Sequence, residues 1–150
     1  MKVLSCVLMV SLGGCMLFAQ SPNEKYLTAA DVEKATGMKA VRLVPRGSVG
    51  GAGGDLNFSS ASGELVLMVQ FTDAKNFDSF QKRYGKGAVT GIGDKAVQGA
   101  ALPGMPDNLL VFTKGTHCVV LTAFGDFIKK KVYLDIGQLT ALGRLIASRM

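Results

Sequence analysis

ELVLMVQF, residues 64–71, sets Leu65, Leu67, Val69 and Phe71 against Glu64, Val66, Met68 and Gln70. In an extended chain successive side chains leave opposite faces, so this spacing predicts a strand with one face in a core. Just upstream, Leu56 and Phe58 alternate with Asp55, Asn57 and Ser59, and the turn-forming letters of residues 60–63 join the two segments into a hairpin. Downstream, Asp73 is placed to cap a helix in which Ala74, Phe77, Phe80 and Tyr84 recur at helical spacing. Lys75, Asp78, Lys82 and Arg83 then face water, and Gly85 closes the helix. A half-buried hairpin beside a one-striped helix specifies a sheet with helices laid on it.

The flanks extend that plan. Thr28 is an N-cap with Asp31 as its capping-box acid, Leu27 and Val32 form a hydrophobic staple, and Gly37 ends a helix over residues 29–36. Residues 39–44 read as a strand, with Val41 and Leu43 on one face and Arg42 on the other, stopped by Pro45. RGSVGGAGG, residues 46–54, has no apolar period and reads as a mobile loop. The second half repeats the layout. A strand over residues 89–97 precedes a Pro/Gly stretch at 102–106. A hairpin of residues 109–113 and 118–124 turns at Lys114-Gly115, and a helix from near Asp135 carries Leu139, Leu142, Leu145 and Ile146 on one face. The expected fold is α+β: an antiparallel sheet of five to six strands with three helices over one side, read as a degenerate duplication of a strand-strand-strand-helix unit. The open face is then either solvated or a binding surface.

The chain has 150 residues, 48 % apolar and 19 % charged, which suits one folded domain and excludes disorder by composition. Its start departs from that average: Lys2 is the only charge before Glu24, and residues 3–19 are apolar or small. This is a signal-peptide pattern over residues 1–19, followed by a flexible leader at 20–26 and a single domain over 27–150. A retained membrane anchor is the rival reading, at the short edge of what spans a bilayer. Leu12-Gly13-Gly14-Cys15 is similar to the lipobox of bacterial lipoproteins, which makes Cys15 a lipidation candidate. The apolar Met16, Leu17 and Phe18 that follow favour cleavage after Ala19 instead. Either way Cys6 is removed and Cys118 has no partner for an intramolecular disulfide, so it reads as a small buried hydrophobe. The formal charge of +6 is scattered apart from the run Lys129, Lys130 and Lys131; a positive exported surface suits anionic lipid or polymer, or serves solubility alone.

GIGDKA, residues 91–96, fits a dinucleotide-binding fingerprint, but no helix can follow it through Ala100-Ala101-Leu102-Pro103-Gly104 to receive a pyrophosphate. It reads as a strand boundary with a tight turn in which Asp94 bonds local backbone. Gly50, Gly51, Gly53 and Gly54 lack the Lys-Ser/Thr and helix start of a phosphate loop, so no cofactor is expected. His117 and Cys118 are neighbours on a strand and point apart, which removes a nucleophile-base pair and a zinc site together. With one histidine and no Gly-x-Ser-x-Gly elbow, no hydrolase set is present. Lys82, Arg83 and Lys86 around Tyr84 are the nearest approach to a nucleic-acid face, and Tyr84 is claimed by the helix stripe.

GIGDKA, TAADVEKATG at residues 28–37, LLVFTKG at 109–115 and LIASR at 145–149 together resemble the layout of small exported bacterial domains of unknown function, often lipoproteins. The resemblance implies an exported, non-catalytic domain and brings no catalytic residues. The chain departs from many such domains in lacking paired cysteines that staple the sheet.

The expected function is a non-enzymatic envelope or secreted binding module for a protein, lipid or small molecule. Its adaptable contacts are placed at Gly50, Gly51, Gly53, Gly54, Asp94 and Lys95. One alternative is an unfamiliar enzyme using Asp94, Lys95 or His117 in a shared pocket, and another is a self-associating envelope scaffold. Membrane attachment is expected only through a lipidated Cys15 or a retained signal segment. Intact mass of the exported protein is expected to match a chain starting at Gln20; a diacylglycerol adduct on Cys15 is the opposing outcome.

Overall fold

The computed structural model describes residues 21–45 and 55–150. In chain order the elements are α1 (Ala29–Thr36), β1 (Arg42–Val44), β2 (Leu56–Ser59), β3 (Leu65–Asp73), a 3-10 turn (Ala74–Asn76), α2 (Phe77–Tyr84), β4 (Gly85–Ala88), β5 (Lys95–Gly99), β6 (Leu109–Lys114), β7 (His117–Ala123), β8 (Gly125–Asp126), β9 (Lys131–Val132) and α3 (Ile136–Arg149). Strands β1 to β7 form one antiparallel sheet in the order β1-β2-β3-β7-β6-β5-β4, and β8 pairs with β9 apart from it. The α+β class is as expected.

The large sheet has seven strands rather than five to six. Of the segment expected as one strand over 89–97, residues 95–97 lie in β5, while 89–94 turn the chain between β4 and β5, with Gly91 at φ 76° and Gly93 at φ 54° reversing it. At Gly93 the glycine is required twice over, because a Cβ would also collide with the Thr113 carbonyl oxygen. Ile92 between them is buried in the core beside Gly143 of α3, which anchors the turn.

The helices occupy both sides of the sheet, which corrects the expectation of one side. Along β6 and β7, Leu110, Phe112, Val119 and Leu121 pack with Val32 of α1 and Leu139, Leu142 and Ile146 of α3. The alternate positions Leu109, Val111, Cys118 and Val120 join Val97 and Phe77, with Phe80 and Tyr84 of α2 against them. Strands apolar at every position need cover on both faces, and LLVF with CVVL are such runs. The duplication fails for the same reason. The order β1-β2-β3 mirrors β5-β6-β7 about the β3–β7 pair, with β4 outside the match, but a twofold through an antiparallel pair would put α2 and α3 on one face, and they lie on opposite ones.

Helices α1 and α3 are fastened at both ends. The capping box of α1 forms as expected, with Thr28 and Asp31 exchanging bonds, Leu27 and Val32 fully buried, and Gly37 left-handed at φ 73° donating to the Glu33 carbonyl. Asp135 and Gln138 cap α3 in the same way, and Gln138 Nε2 donates to the Thr36 carbonyl at 3.4 Å. At the far end Arg149 grips Asp31 with two bonds of 2.6 and 2.9 Å and donates to the Tyr26 carbonyl at 3.2 Å. Residues 21–26 turn through Glu24 N to Ser21 O and Tyr26 N to Asn23 O, and Tyr26 lies 5.5 Å from Phe71 between ring centroids.

The Arg149 guanidinium, ahead of the Thr28 donors, holds the Asp31 carboxyl well below the usual carboxylate range against the opposing effect of burial. A lowered folded-state value means that the stabilisation is complete above the unfolded value near pH 4 and fades as pH falls below it. Asp31→Asn is expected to lose about 1–3 kcal/mol at neutral pH and to flatten the loss of stability below pH 4, as read by denaturant unfolding at several pH values.

Candidate functional site

GIGDKA sits where no helix follows. Gly93 and Asp94 lead into β5, so no cluster of free helix-end amides faces an anion. The strand-boundary reading therefore stands, with one correction. Asp94 Oδ2 accepts a bond from Gly115 N at 2.8 Å, in the β6–β7 turn 21 residues away, and Asp94 N donates to Thr113 O at 2.8 Å. The carboxylate clamps a distant hairpin rather than its own turn. That hairpin turns at Gly115-Thr116, one residue later than expected, because Lys114 pairs with His117.

Asp94, Lys95 and His117 are exposed, and no hydrogen bond joins any two of them. Lys95 lies on the face of Val97, under α2, whereas His117 shares the face of Val119. Strand β6 runs between them, a separation of about 9–10 Å at the backbone. The His117 ring nitrogen is 3.4 Å from Thr116 Oγ1. Cys118 is fully buried on the α2 side, and burial pushes its thiol up to about 11. Such a thiol is a poor nucleophile at neutral pH. Among the described residues no three His, Cys, Asp or Glu side chains cluster as metal ligands, and no helix is long and apolar enough to cross a membrane. Gly50, Gly51, Gly53, Gly54 and Cys15 lie outside the described residues.

The concave feature that sequence reasoning missed lies along α2. It is a groove of about 260 Å³ lined by Thr72, Asn76, Ser79, Phe80, Arg83 and Tyr84. Its position follows from local structure. Asp73 accepts from Lys75 N at 2.9 Å and starts a 3-10 turn, which swings the chain from β3 into α2 and leaves Thr72 facing the helix. Asn76 Nδ2 donates to Thr72 Oγ1 at 2.7 Å and fixes the floor. One turn apart on the helix, Phe80 and Tyr84 stack with centroids 6.3 Å apart, and their buried sides continue into the core. The Arg83 guanidinium lies 5.1 Å over the Tyr84 ring. No carboxylate lines the groove, and none pairs with Arg83 among the described residues. Lys86, by contrast, is held by Asp107 at 2.9 Å, which takes it out of the basic group around Tyr84.

The available sequence signal is the placement of Ser79 and Arg83 at i and i+4, beside the apolar stripe. Asp94→Ala is expected to weaken folding modestly, by about 0.5–1 kcal/mol, through loss of the solvent-exposed bond to Gly115 N–H, while leaving the α2 groove unchanged; unfolding curves and amide spectra of residues 72–84 check both parts. Comparison with protein-family models, with curated proteins and with solved structures finds no match for this chain.

Proposed function

We propose that this protein is an exported, non-enzymatic binding domain of the cell envelope or secreted fraction, and that its ligand is a small organic anion with a ring, held in the α2 groove. The groove carries the proposal: an arginine without a carboxylate partner among the described residues, a stacked aromatic wall and three small polar side chains converge on one depression. A guanidinium offers two parallel donors that match a carboxylate, and Phe80 and Tyr84 offer apolar faces to a ring. A volume of about 260 Å³ suits a single ring rather than a dinucleotide. Export rests on the signal-like residues 1–19. The separate duties of Asp94, Lys95 and His117 support a non-catalytic reading, because a general acid or base must reach the same reacting atoms as its partners.

Benzoate and its neutral counterpart benzamide distinguish the charge from the ring. Benzoate titrated into the protein is expected to move amide signals of residues 72–84 saturably, with benzamide weaker by about tenfold or more, and Arg83→Gln should erase that difference. Absence of saturable shifts in this segment with benzoate overturns the proposed ligand class.

A further inference from the structure

Leu102, Phe127 and Ile128 are the exposed large hydrophobic side chains among the described residues, at 47 %, 50 % and 95 %. All three stand on connections at one end of the sheet. Gly99 pairs with Leu109 across the loop that holds Leu102, and Leu109 pairs with Thr122 near the end of β7, from which the chain enters the β8–β9 hairpin. Asn108 joins these connections by donating to Ala123 O at 2.8 Å and accepting from Ala101 N at 2.9 Å. Single exposed apolar residues are ordinary. An adjacent pair at the tip of a fixed turn, with a third on another connection at the same end of the sheet, requires another explanation.

The tip is held in shape by its own hydrogen bonds. Asp126 Oδ1 accepts from Ile128 N and Lys129 N, each at 3.0 Å, while Oδ2 lies 3.2 Å from Lys129 Nζ. Lys130 takes φ 51°, and β8 packs so closely on β9 that a Cβ on Gly125 would collide with the Lys131 carbonyl oxygen. Lys129, Lys130 and Lys131 follow the apolar pair, all exposed. Of the acids at this end, Asp126 pairs with Lys129 and Asp107 with Lys86, while Glu64 accepts from Ser62 Oγ at 3.2 Å. Among the described residues, Lys130 and Lys131 are left as unpaired cations next to Phe127 and Ile128.

We infer that this end of the sheet docks on an anionic phospholipid surface, with Phe127 and Ile128 entering the headgroup boundary and the lysines meeting lipid phosphates. Apolar side chains beside exposed lysines match the two layers of such a surface, an acyl boundary below a negatively charged plane. Because the turn is already ordered, insertion requires little further loss of conformational freedom. The attachment is independent of the α2 groove and of any lipid on Cys15.

The chain contains no tryptophan, so a single introduced indole reports its own position. Full-length protein with Ile128→Trp is to be mixed with phosphatidylglycerol vesicles and, separately, with phosphatidylcholine vesicles; Thr116→Trp, at the opposite end of β7, is the control. A blue shift is expected for Ile128→Trp with phosphatidylglycerol alone and not for Thr116→Trp, which separates hairpin insertion from capture by the apolar residues 3–19. Adding Lys130→Gln and Lys131→Gln should weaken vesicle partitioning about fivefold for each lysine, with circular dichroism unchanged. No shift, an equal shift at both positions, or an equal shift with neutral lipid overturns the inference.

Discussion

Strands β6 and β7 pair over their whole length, from Leu109 opposite Thr122 to Lys114 opposite His117, and both are buried on either side. A hairpin apolar on two faces is insoluble until both are covered, so it imposes a three-layer arrangement on a chain of modest length. Helices α1 and α3 close one side through Val32, Leu139, Leu142 and Ile146; α2 closes the other through Phe77, Phe80 and Tyr84. The bidentate contact of Arg149 with Asp31 and the bond from Gln138 to the Thr36 carbonyl then keep α1 and α3 aligned as one lid. The groove on α2 is a by-product of the second closure: a helix short enough to cover only part of its face leaves Thr72 and Asn76 open beside its aromatic stripe.

Features written in local chemistry are legible in the sequence. Thr28, Asp31 and Gly37 bound α1 because caps act within a few residues, and the alternation in residues 64–71 sets which face of β3 is inward. What stays hidden depends on partners remote in sequence. LLVF and CVVL lack a period, so they carry no sign of which helix covers which side, and the expectation of three helices on one face misplaces α2. The Asp94 bond to Gly115 crosses 21 residues and is invisible to turn rules. The groove escapes notice because the helical stripe already accounts for Phe80 and Tyr84, and Thr72 comes from a strand. Strands β8 and β9 are two residues each, too short for any pattern.

The chemistry-bearing residues divide into two kinds of duty. Asp94, Asp126 and Asp31 spend their carboxylates on backbone N–H groups or on a guanidinium, and each fixes the shape of a connection or a helix end. Arg83, Lys130 and Lys131 have no such internal task among the described residues. Cations unneeded by the fold lie beside exposed or half-exposed apolar surface in both places, over Tyr84 and behind Ile128. That pairing of charge with apolar area is what gives the proposed anion groove and the proposed lipid-facing tip a common physical basis.

Cys118 sits beneath α2 among Val97, Val111 and Val120, shielded from solvent. A chain that has formed its sheet but not yet seated α2 presents a bare sulfhydryl next to an uncovered aliphatic surface. Access of any oxidant or alkylating reagent to this sulfhydryl therefore requires the aromatic side of α2 to lift from the sheet.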